Sequence, residues 1–121
     1  MNPQQLRIIG AALAILVVFI LGYRLTRAGK PYPGLLFNAH KLLALAAAAL
    51  VGIHVYRAGQ SAPLSAGAWA AAVVTALCVV GLFATGAVLS LAKPAPEIVR
   101  ALHHLAPYLA VAAGAATLWL L

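Results

Sequence analysis

Four apolar runs, residues 6–23, 35–56, 66–92 and 98–121, take up nearly the whole of this chain and leave only short connections between them. A helix needs about 20 residues to cross a hydrocarbon core roughly 30 Å thick, and each run is near or above that length. Because a helix satisfies its backbone amides within one segment, it is the natural structure for such a run in lipid. The expected fold is all-α: an integral membrane four-helix bundle, up-down-up-down, forming a single transmembrane domain over residues 1–121. The helices are expected at about 6–25, 35–57, 66–92 and 97–121. Composition argues against a soluble alternative, since 65% of the 121 residues are hydrophobic and only 7% charged. At a mean hydropathy of +1.04 a small soluble domain has too little interior to hide its apolar surface.

Eight basic residues against one acidic residue make the net charge +7. Nucleic-acid binding is one reading of such an excess, but membrane topology accounts for it more simply. With four spans, Arg24, Arg27, Lys30, Lys41, Lys93 and Arg100 fall on one side, and only Arg7 and Arg57 on the other. The first and third loops are then expected in the cytoplasm and both termini outside. The first run reads as a retained span rather than a cleaved signal, since no small-residue cleavage site follows it and Arg24, Arg27 and Lys30 come next. Cys78, the only cysteine, lies within the third run and reads as a small packing residue.

Titratable side chains inside such runs need a reason. Residues 35–57 read LLFNAHKLLALAAAALVGIHVYR and carry His40 near one end and His54 near the other. At about 100° per residue the two lie on nearly the same helix face, roughly 21 Å apart. Ala44, Ala47 and Val51 continue that face and leave a shallow groove for something flat or for another helix. The fourth run carries His103 and His104, with Pro107 freeing the carbonyl of His103 and Ala106, Ala110, Ala113 and Thr117 extending the His103 face. Helices 2 and 4 run in the same direction, so His40 and the pair His103 and His104 come to similar depths, about 8 to 10 Å below the cytoplasmic surface.

Imidazoles without a carboxylate or thiolate at that depth suit few ligands. Zinc would require His40, His103 and His104 together, and neighbours on a helix point about 100° apart. Haem iron needs one axial nitrogen on each side of a flat ring, which a histidine from each of two facing helices supplies. Lys41 beside His40, and Arg100 one turn before His104, suit anionic propionates. Gly81 and Gly86 on helix 3 make room for a macrocycle, and Thr85, Ser90 or a freed carbonyl can accept the remaining ring N–H and fix its tautomer. On helix 1, Gly10 and Gly22 allow close approach at either end. The segments PYPGLLFNAH and PAPEIVRALHH share a proline turn followed by a histidine-bearing helix. This falls short of a convincing internal repeat, although a two-fold pseudo-repeat would make His40 and His103 or His104 correspond.

The segments HKLLALAAAALVGIHVYR and TGAVLSLAKPAPEIVRALHHLAPYLAV resemble the small four-helix b-type cytochromes of the bacterial inner membrane. The resemblance spans about residues 37–112. It implies haem b held by His40 and a helix-4 histidine, with electrons passing between a quinone pool and another redox partner. One haem is implied, because a second would need a further helix-4 histidine where Thr117 and Leu118 stand. His104 is the first choice of helix-4 ligand, flanked at helical spacing by Arg100 and Tyr108, with His103 as the alternative.

Plainer readings accompany each of these. His40 reads equally as a helix-end histidine bonded to a loop carbonyl, His54 as an interfacial histidine near Arg57 or a quinone contact, and the Ala and Gly stripes as packing surfaces. Two other classes fit the length: a cofactor-free membrane interaction or assembly protein with structural histidines, and a small transporter. The transporter lacks an intramembrane carboxylate, Glu97 being in a turn. Enzyme activity extends at most to an oxidoreductase or electron-transfer subunit, because no serine is set beside a histidine in an activating motif. The expected partners are the lipid bilayer, a redox partner or larger membrane complex, and a second copy of the chain, but not nucleic acid.

Overall fold

The structure, a computed structural model, describes residues 1–121 and consists of four helices joined by short turns, with no strand. These are α1 Pro3–Ala28, α2 Gly34–Ser61, α3 Ala66–Leu89 and α4 Glu97–Leu120. Each is long and apolar enough to cross a membrane, in agreement with the all-helical expectation.

The helix ends differ from the expected ones because local caps, not hydrophobicity, set them. α1 starts at Pro3 rather than near residue 6. The Asn2 side chain accepts the Gln5 N–H at 2.8 Å while the Gln5 side chain accepts the Asn2 N–H at 3.1 Å, a reciprocal cap that satisfies two donors. At its other end Gly29 takes φ 72°, a left-handed conformation that glycine adopts without steric cost, and its N–H closes on the Leu25 carbonyl. α2 continues past residue 57 to Ser61, stopping just before the residue that precedes Pro63. α3 begins at the Ser65 cap and ends at Leu89 instead of residue 92. There the Ser90 hydroxyl turns back onto the Ala87 carbonyl at 2.7 Å. α4 follows Pro96, places Glu97 in its first turn, and runs through Pro107 without interruption.

The chain clusters into two compact units, Met1–His54 and Val55–Leu121. In the first, α1 and α2 pair as a hairpin: His40, early in α2, reaches Val18 and Gly22, late in α1. The second contains the α3–α4 hairpin, in contact from end to end. A Cβ on Gly67 would lie 3.5 Å from Leu120, and one on Gly86 would lie 3.1 Å from His103. Small side chains dominate what is buried in both, among them Ala11, Ala47, Ala68, Ala113 and Gly114. That is the pattern of helices packing in lipid, where close backbone approach rather than water exclusion brings them together. Large aliphatic side chains such as Leu13, Leu77 and Leu105 point outward and stay exposed. Trp69 and Trp119, both exposed, sit at the end of the α3–α4 hairpin marked by the Gly67–Leu120 contact, as interfacial indoles do.

Candidate functional site

His40 occupies the seventh position of α2 and is half-buried against α1. Its Nδ1 lies 3.0 Å from the Val18 carbonyl oxygen. A carbonyl only accepts, so Nδ1 carries the proton, and in the neutral ring the lone pair is on Nε2. The ring rests on Gly22, where an added Cβ would come within 3.0 Å of Cε1. The acceptor is a mid-helix carbonyl, not the loop carbonyl of the plainer reading. The reason is that His40 lies far enough into α2 to face the body of α1.

His103 occupies the seventh position of α4 and faces α3. Its Nδ1 is 2.8 Å from the Thr85 hydroxyl, which itself donates to the Gly81 carbonyl at 2.8 Å. The Leu82 carbonyl is also within reach of that hydroxyl at 3.2 Å. With its single proton on either carbonyl, Thr85 accepts from His103, whose Nδ1 then carries the proton as that of His40 does. The ring lies over Gly86. Thr85 therefore makes the bond expected of it, whereas Ser90 does not, its hydroxyl being turned to its own helix. His104 is exposed and meets His103 edge-on, with ring centroids 6.5 Å apart at 84°.

The remaining residues fall further out. Lys41 is exposed, with its ammonium 5.1 Å from the centre of the Phe37 ring one turn earlier, and Phe37 in turn stacks on Tyr32. Such a cation–π contact keeps the charge at the helix end. Arg100 is exposed in the first turn of α4. His54 is buried, 7% exposed, and within Coulombic range of Arg7 on α1. It continues the buried Ala47 face of α2, while Arg57, one turn later, is exposed. Gly10 has nothing within 4 Å of an added Cβ and is not a close-approach point. Gly81 lines an open-sided apolar cleft of about 250 Å³ with Cys78, Thr85 and Ala106.

Sequence reasoning overlooked two features. One is the Val18 carbonyl, a main-chain group with no signature in residue identity. The other is the pairing of Thr75 with Thr117 at 3.3 Å across α3 and α4, for which the only signal is two hydroxyls on small-residue faces. No group of three or more His, Cys, Asp or Glu side chains is gathered closely enough to hold a metal ion. No family model, curated protein or solved structure matches the chain. What the fold and the site define is an all-helical, multi-pass membrane protein with an oriented histidine in each of two helical hairpins.

Proposed function

We propose that this chain is a haem b-binding membrane electron-transfer protein or subunit of the bacterial inner membrane. His40 and an α4 histidine, His103 or His104, would hold one haem, and a quinone is the candidate exchange partner. The observation that carries the reading is the Nδ1 hydrogen bond of His40 to Val18 and of His103 to Thr85. Metal-ligating histidines usually donate the other ring N–H in this way, which fixes the tautomer and raises the basicity of the ligating nitrogen. Bound haem supplies reversible one-electron chemistry. The protein's part is to hold each imidazole as an Nε2 donor, to keep water from it with apolar helices, and to offer Lys41 and Arg100 to anionic propionates. Basic residues concentrated in the first and third loops favour a cytoplasmic position for both, with the termini outside.

An absorption spectrum of the purified, dithionite-reduced protein tests this. A Soret band and a low-spin α-band are expected after expression with adequate haem, and His40→Ala should abolish the low-spin signature. No Soret band after reconstitution would sink the reading. The same two hydrogen bonds favour a second reading, a cofactor-free assembly protein in which the histidines join helices. In that case the protein is colourless, and His40→Ala lowers thermal stability or disrupts assembly without any spectral change.

A further inference from the structure

The two hairpins share more than a proline turn. Residues 22–40, GYRLTRAGKPYPGLLFNAH, align with residues 86–103, GAVLSLAKPAPEIVRALH, when a single gap is opened at Gly29. Gly22, Leu25, Ala28, Lys30, Pro31, Pro33 and His40 then find identical partners in Gly86, Leu89, Ala92, Lys93, Pro94, Pro96 and His103. Thr26 faces Ser90, Leu35 faces Ile98 and Leu36 faces Val99.

The structure makes the alignment physical. In each hairpin the first aligned residue is a glycine and the last is the histidine lying on it. An added Cβ at Gly22 would approach Cε1, Nδ1 and Nε2 of His40 to 3.0, 3.6 and 3.9 Å. At Gly86 the corresponding distances to His103 are 3.1, 3.8 and 3.9 Å. The same edge of each ring is thus presented to the same backbone position of the partner helix. In each, Nδ1 is the hydrogen-bonded atom, although one acceptor is a carbonyl and the other a hydroxyl. His104 has no such counterpart, since it aligns with Lys41.

We propose that the chain is a tandem duplication of one helical hairpin, in which Gly22 and Gly86 are positioning residues that seat His40 and His103 as equivalent imidazoles. His103 rather than His104 is then the α4 partner of His40. The ligand assignment rests on the haem reading above; the duplication does not. On the helix that follows each glycine, the chain returns a histidine to the same place at the seventh helical residue, after a Lys-Pro-x-Pro turn whose Lys-Pro peptide is cis at Lys30–Pro31 and trans at Lys93–Pro94.

The test has two arms. The first uses the full-length chain in lipid nanodiscs without added haem, with ¹⁵N-labelled histidine. His40 and His103 are expected to show the Nδ1–H tautomer. Gly86→Ala should shift the imidazole resonances of His103 and leave those of His40, and Gly22→Ala should do the reverse. The wild-type spectrum decides the point even where a glycine variant does not fold. A fixed Nδ1–H tautomer at His104 but not His103, or a His103 signal unmoved by Gly86→Ala, overturns the proposal. The second arm uses haem-loaded protein. His103→Ala should lose the low-spin spectrum, and His104→Ala should retain it at wild-type occupancy. The opposite result overturns the assignment of His103 while leaving haem binding intact. Absence of haem from the wild type refutes only the haem reading, and the first arm then decides whether Gly22 and Gly86 seat the two histidines equivalently.

Discussion

His103 Nδ1 lies 2.8 Å from the Thr85 hydroxyl, and that hydroxyl lies 2.8 Å from the Gly81 carbonyl, so α4 is tied through a hydroxyl to the backbone of α3. Thr85→Val keeps the shape and removes the acceptor. Interhelical side-chain bonds in membranes contribute about 0.6 kcal/mol on average, so the stability loss should be of that order. If the chain binds haem through His103 as proposed, a less basic imidazole should stabilise the oxidised iron less and raise the midpoint potential. Redox potentiometry of the variant checks this; a potential unchanged from wild type argues that His103 is not a ligand.

Gly81 and Gly86 lie on one helix but should respond oppositely to alanine. Open space surrounds Gly81, and alanine is favoured over glycine in a helix interior by about 0.8–1.0 kcal/mol, so Gly81→Ala should raise the melting temperature. At Gly86 the new methyl meets His103 at 3.1 Å, and such overpacking costs typically about 1–3 kcal/mol. Thermal unfolding of the two variants in the same detergent should show shifts of opposite sign.

Thr75 and Thr117 approach to 3.3 Å, yet each hydroxyl already donates to the carbonyl four residues earlier, at 2.8 Å in both cases. With both protons engaged, little attraction remains between the two oxygens. A double-mutant cycle with valine at each position should therefore give a coupling below about 0.6 kcal/mol. Packing matters more here, because Thr117 is 0% exposed. Thr117→Leu should destabilise the α3–α4 hairpin by about 1–3 kcal/mol, read from denaturation in mixed micelles.

Asn2 holds the start of α1 with its exposed side chain. Asn2→Ala should cost about 1 kcal/mol locally. Hydrogen exchange should then quicken at the Gln5 amide while amides in the middle of α1 stay protected.

Legibility in the sequence followed the range of the interaction. Four spans were readable because hydrophobicity over some 20 residues is a summed property that no single contact overrides. Their ends were less so, since Asn2 with Gln5 and Ser90 with Ala87 act through individual hydrogen bonds. Thr85 was a foreseeable partner because it lies near the end of α3 and His103 near the start of α4, at similar distances from the turn that joins them. The Val18 carbonyl was not, for every residue carries one. Choosing between His103 and His104 requires knowing how α4 is rotated about its axis, because neighbours on a helix point about 100° apart.

By itself, then, the sequence determined that the chain is helical, that it forms four spans, and that its histidines lie in apolar surroundings. Composition and periodicity alone dictate those properties. Only the tertiary structure decided that His40 sits on Gly22 and His103 on Gly86, that each ring is hydrogen-bonded through Nδ1, and that His54 is buried near Arg7. Those outcomes depend on the rotation and register of one helix against another. Both are set by which small residues let two backbones meet.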